Sequence, residues 1–168
     1  MNQTTIISCS FLAMYAATTF AANTEPTTLC HSEETVVFSC SVKKKLVSLC
    51  ATSDLTAEGG RLTYRYGVPG KPPELIYPTV EVKPKEAFTA TFMEWARRSY
   101  QAVSFKIADY AYTVYFCENI ESCSQDVGAG VTVERSGKVI ADLWCDVPYQ
   151  NNMWEKLRSV GLPEPEAP

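Results

Sequence analysis

Arg61-Leu62-Thr63-Tyr64-Arg65-Tyr66 alternates polar and apolar side chains without a break. Period-two alternation marks a strand with one face buried. The same rhythm runs outward from it. Val36, Phe38, Cys40 and Val42 alternate on the N-terminal side, and Leu46 to Ala51 makes a partner for them across Lys43-Lys44-Lys45. On the C-terminal side, Glu74 to Tyr77 is a short strand between Pro72-Pro73 and Pro78, a setting that suits a sheet edge. Gln101 to Ile107 and Tyr110 to Cys117 form a hairpin around Ala108-Asp109. Gly130 to Glu134 and Lys138 to Trp144 form another around Ser136-Gly137, a good turn dipeptide.

Two segments depart from this rhythm. In residues 87–100, Phe88, Ala90 and Phe92 suit a strand while Phe88, Phe92, Trp95 and Ala96 suit a helix, so both readings stay open. Asn152 to Val160 reads as a helix: Asn152 stands at the cap, Glu155 completes a capping box, and Gly161 then Pro163 end it. About eight strands in hairpin order with no βαβ alternation make the chain all-β, an antiparallel small barrel or sandwich with a short C-terminal helix.

Residues 2–22 carry no charged side chain and contain an apolar run too short for a bilayer span, which needs about 20 residues. The run ends at Thr19-Phe20-Ala21-Ala22, which fits signal-peptidase cleavage. The expected organisation is a signal peptide over residues 1–21, one disulfide-tied β domain over 22–163 and a flexible tail over 164–168. Such a protein is periplasmic or secreted, with no membrane span in its mature form. A mature chain of roughly 145 residues buries about 70% of its unfolded surface, so disulfides add to a core that already exists.

Six of the seven cysteines lie beyond residue 22, an even set that points to a disulfide framework. If the first hairpin turns at Lys44-Lys45, Phe38 opposes Ala51, Cys40 opposes Leu49 and Val42 opposes Val47, all inward, while Cys50 points out. A one-residue shift would bring Cys40 opposite Cys50 but turn Val47 and Leu49 from the core. Cys145 follows Val139, Ala141 and Leu143 at period two, and in a closed barrel the last strand lies beside the first. The pairing expected is Cys40 with Cys145, Cys117 with Cys123 across a short loop, and Cys30 with Cys50.

Catalytic chemistry finds little to work with. His31 is the sole histidine, so neither a zinc site nor a histidine-activated nucleophile assembles from a second one. With every mature cysteine in a bridge there is no thiol nucleophile, and Cys117 and Cys123 lack the CxxC redox spacing. Glu33-Glu34 and Glu118, Glu121 and Asp126 read as solvated charge. No glycine-rich turn precedes a helix as a phosphate site requires, so neither catalytic residues, metal nor cofactor are assigned. Fifteen Lys and Arg against 19 Asp and Glu leave a net charge of −4, a poor match for nucleic acid. Lys43-Lys44-Lys45 and Arg97-Arg98 read as solvated turns. The candidate interface is Tyr115, Ile140 and Trp144, which share the outward face of their strands.

Phe38-Ser39-Cys40, Val47-Ser48-Leu49-Cys50-Ala51, Tyr64-Arg65-Tyr66-Gly67, Pro73-Glu74-Leu75-Ile76-Tyr77-Pro78, Asp109-Tyr110-Ala111-Tyr112-Thr113-Val114-Tyr115 and Ala129-Gly130-Val131-Thr132-Val133-Glu134-Arg135 together resemble a family of small secreted proteins of Gram-negative bacteria. That resemblance implies a compartment and assigns no activity. In architecture the chain is similar to the inhibitors of c-type lysozyme, whose Ser-Gly-x-x-Tyr type loop enters the lysozyme cleft. Here the nearest stretch is Ser136-Gly137-Lys138-Val139-Ile140, which lacks the aromatic. The function expected is a non-enzymatic binding domain with a protein or cell-envelope partner; the alternative is an inhibitor or immunity protein acting on a lysozyme-like cell-wall hydrolase.

Overall fold

A computed structural model describes residues 27–120, 123 and 127–165. The expected signal peptide lies outside the described residues. Two antiparallel five-stranded sheets face each other. The first takes β1 (Thr35–Val42), β2 (Lys45–Ala51), β3 (Leu62–Gly67) and β4 (Leu75–Tyr77) in sequence order. Its other edge is closed by a late strand, β10 (Asp146–Asn151), beside β1. After a single helical turn, α1 (Pro84–Ala87), the second sheet is an uninterrupted meander. It runs through β5 (Thr89–Trp95), β6 (Arg98–Ile107), β7 (Tyr110–Glu118), β8 (Val127–Arg135) and β9 (Lys138–Trp144). A short helix, α2 (Met153–Leu157), follows β10.

The all-β expectation holds, and between its two forms the molecule is a sandwich. Among the described residues there are ten strands, which exceed the expected eight by β5 and β10. β5 resolves the open segment 87–100 as strand and turn. β10 lacks clean alternation and carries Pro148, which its place at a sheet edge tolerates. The strand beside β1 is therefore β10, whereas β9 stays in the second sheet.

Alternation places the core. Phe38, Val47, Leu49, Leu62 and Tyr64 from the first sheet meet Val103, Phe105, Val114 and Val131 from the second, all buried. Each such side chain contributes about 1.5–3 kcal/mol on burial. Phe105 is the centre of an aromatic group: Tyr77 stacks at 4.6 Å, Tyr112 at 5.0 Å, and Tyr64 tilts against it at 4.9 Å. Burial drives the Tyr64 phenol well above its ordinary value, with smaller contributions from Tyr66 and Tyr112.

Three local expectations are corrected. The first hairpin turns at Lys43-Lys44, so Cys40 opposes Val47 and Phe38 opposes Leu49. That register differs by two residues from the expected one, and a two-residue shift keeps every side chain on its face. Val139 faces outward opposite Glu134, because a bulge between Val133 and Glu134 interrupts the β8–β9 ladder. The last helix spans only Met153–Leu157, and Asn152 does not cap it. Its side-chain amide instead donates to the Val36 carbonyl, and Asn151 Oδ1 accepts the Met153 N–H. Glu155 pairs with Lys156 rather than closing a capping box. Met153 and Leu157 are buried, so the helix plugs the core near β1 and β6.

The outer face of the first sheet is also covered. Residues 27–34 cross it as a strap. Ser39 Oγ donates to the Thr27 carbonyl at 2.8 Å, and the Leu29 N–H donates to Ser48 Oγ at 2.9 Å. Arg65 binds both oxygens of Glu34, at 2.5 and 2.9 Å. This is why Ser39, Ser48, Thr63 and Arg65, polar and outward by alternation, are nevertheless buried.

Candidate functional site

The structure joins Cys30 to Cys50, Cys40 to Cys145 and Cys117 to Cys123. The first bridge fixes the strap to β2. The second ties β1 to the crossover between β9 and β10, and the third clips the connection after β7. Cys30, Glu34 and Cys50 bring ligand-type atoms within 4.8 Å of one another. Both sulfurs there are spent in one bridge, so the trio offers no thiolate to a metal. Glu121 and Asp126 lie outside the described residues.

Beside the strap is a cleft of about 510 Å³ whose lining includes His31, Glu34, Thr52, Arg61, Arg65 and Val80. Its best-placed acid is already engaged. Burial pushes the Glu34 carboxyl up, but hydrogen bonds from Arg65 and the His31 N–H, with the guanidinium charge, outweigh this and hold it below its ordinary value. A carboxylate locked this way is a structural anion, unsuited to taking up a proton near neutral pH.

The predicted interface residues lie on the outer face of the second sheet. Ala102, Tyr115, Gly130 and Trp144 form one row across β6 to β9. Two glycines let the rings lie down on the sheet. A Cβ on Gly130 would stand 2.7 Å from Tyr115 Oη, and one on Gly128 would stand 2.7 Å from the Trp144 ring. Tyr115 and Trp144 meet edge to face at 5.8 Å, and Tyr100, Ile120 and the Cys117–Cys123 bridge pack against them. Tyr115 is only 7% exposed. Its hydroxyl donates to Asp142 at 3.3 Å, and burial together with that carboxylate raises its phenol far above the ordinary value.

The three residues therefore do not form one open patch. Tyr115 and Trp144 belong to a second small core, while Ile140 stands apart from it in the bulged part of β9 and is 56% exposed. The exposed aromatic surface lies instead at the β5–β6 tip, which sequence reasoning passed over. Trp95 pairs with Arg98 across a tight turn in which Arg97 has a φ of 68°. Every residue from Met93 to Arg98 is exposed, with Trp95 at 51% and Met93 at 39%. The signal was present in two exposed-type arginines beside a tryptophan, but the open helix-or-strand reading of 87–100 hid the hairpin.

At the root of this tip, Phe92 meets Trp154 of α2 edge to face at 6.0 Å. Arg158 lies over the same indole, 4.1 Å from its centroid. The Gln101 carboxamide oxygen fixes the junction by accepting from the backbone N–H of Trp154 at 3.1 Å and from the side-chain amide of Asn151 at 3.2 Å. Among the described residues, Arg97, Arg98 and Arg158 form no ion pair.

Comparison with protein-family models, curated proteins and solved structures finds no match. The surface chemistry thus carries the functional argument. No helix among the described residues is long and apolar enough to cross a membrane.

Proposed function

We propose that this is a non-enzymatic binding domain of the periplasm or extracellular space, engaging a protein or cell-envelope partner through the β5–β6 tip. One observation carries the reading. The run Met93–Arg98 is exposed throughout and holds an uncovered tryptophan at its turn, the residue type that dominates binding surfaces. Three disulfides support an oxidising compartment. The strap cleft supports no competing enzymatic reading, because Glu34 is neutralised by Arg65 within it.

The inhibitor alternative needs a projecting aromatic loop. Ser136-Gly137 is a two-residue turn between Arg135 and Lys138, and no aromatic follows before Trp144. Affinity capture from envelope extract with the oxidised domain tests the binding reading. Capture of either protein or lipid that Trp95→Ala abolishes supports it, and retention of neither overturns it. Loss of c-type lysozyme turnover in the presence of the protein would favour the inhibitor instead.

A further inference from the structure

We propose that the occupant of the β5–β6 tip is an anionic phospholipid surface, which the hairpin enters with Trp95 and Met93 while Arg97 and Arg98 hold headgroup phosphates. The inference rests on the binding reading above and narrows its partner.

Shape is the first argument. The tip is a two-residue turn between Trp95 and Arg98, and its six exposed residues fall short of the roughly 20–30 that a stable protein interface uses on each side. A fluid surface asks for no matching shape. Composition is the second. Trp95 and Met93 lie on one face of β5, two residues apart, and an indole is the side chain that settles most readily at a membrane–water boundary.

Charge is the third. The chain as a whole carries −4, yet this end gathers Arg97 and Arg98 at the turn and Arg158 at the C-terminal end of α2, linked to the hairpin through the Phe92–Trp154 contact. The described acids on these elements are Glu94, exposed on β5, Glu118, half-buried opposite Ser99, and Glu155 on α2, which is paired with Lys156. Guanidinium groups bind phosphate oxygens in a fork.

The test is flotation of the purified oxidised full chain with phosphatidylglycerol vesicles and with neutral phosphatidylcholine vesicles, read together with tryptophan emission. Expected are binding to the anionic vesicles alone, a blue shift, and loss of binding at high salt. Each of Arg97→Ala and Arg98→Ala should weaken binding about fivefold, and Trp95→Ala should abolish the blue shift. Ile140→Ser, at the other end of the sheet, should bind as the parent does. Unchanged denaturation midpoints in all four variants establish that they fold. Absence of binding to phosphatidylglycerol, or binding indifferent to the tip variants, overturns the inference. Capture of an envelope protein that depends on Trp95 without any vesicle binding would overturn it too, while leaving the broader binding function standing.

Discussion

Arg65 of β3 holds Glu34 of the strap through two hydrogen bonds, with both side chains at least nine-tenths buried. The guanidinium also donates to the Leu29 carbonyl at 3.3 Å, so one side chain fastens the strap at two points. Removing one partner strands the other charge. Arg65→Met and Glu34→Leu are each expected to destabilise the fold by about 3–5 kcal/mol, whereas the double replacement should recover most of that loss. Equilibrium urea denaturation of the four proteins measures it; additive single-variant losses would disprove the coupling.

The same pair sets an acid limit on stability. The folded-state carboxyl of Glu34 lies below its ordinary value of 4.5, so the unfolded chain binds the proton more readily. Stability from this group is therefore full above about pH 5.5 and falls as pH drops through 4.5 towards the depressed folded value. In Glu34→Gln that contribution is absent at every pH. Denaturation midpoints measured from about pH 3 to 7 should converge between parent and variant at the acid end, and a constant gap across that range would show that Glu34 does not set the limit.

What could be read in advance followed from alternation, and what could not depended on what covered each face. Leu62, Tyr64 and Tyr66 declared an inward face, and the core contains or touches all three. Arg65 sits between them and reads as solvent-facing, yet the strap buries it. No local pattern announces a strap whose contacts run from Thr27 to Ser39 and from Glu34 to Arg65. Tyr115 and Trp144 stand on the face that alternation gives them, yet Tyr115 is buried there and Trp144 half-buried, because Gly128 and Gly130, far from them in sequence, lie directly beneath their rings. Cysteine pairing tolerated a register error, since Cys40 stays inward and Cys50 outward after a two-residue shift.

The bridges should rank by the chain they close. Cys40–Cys145 spans 105 residues, Cys30–Cys50 spans 20 and Cys117–Cys123 spans 6. Constraint of the unfolded state then favours them by about 4.7, 3.3 and 2.2 kcal/mol respectively. Paired Cys→Ala variants, made one bridge at a time and compared by denaturant midpoint, are expected to lose stability in that order. Loss of Cys30–Cys50 should in addition speed amide exchange at Leu29, whose N–H donates to Ser48 Oγ, because it frees the strap while leaving the two sheets joined. A uniform cost across the three would show that loop length is not what sets their value.

Gly128 and Gly130 separate two ways of crowding the outer aromatic cluster. A Cβ at Gly130 would meet the Leu143 carbonyl oxygen at 2.6 Å as well as the Tyr115 ring, and the carbonyl belongs to the neighbouring strand. Relief there requires β9 to shift. At Gly128 the close contacts are all atoms of the Trp144 side chain, which is only half-buried and can turn away. Gly130→Ala is therefore expected to cost about 1–3 kcal/mol by overpacking, and Gly128→Ala less. Their spectroscopic signatures should run the other way: Gly128→Ala should red-shift indole emission as Trp144 swings into solvent, while Gly130→Ala alters it little. Thermal denaturation with tryptophan fluorescence on the same samples reads both, and equal losses from the two variants would mean that the Trp144 ring is as immovable as the backbone beside it.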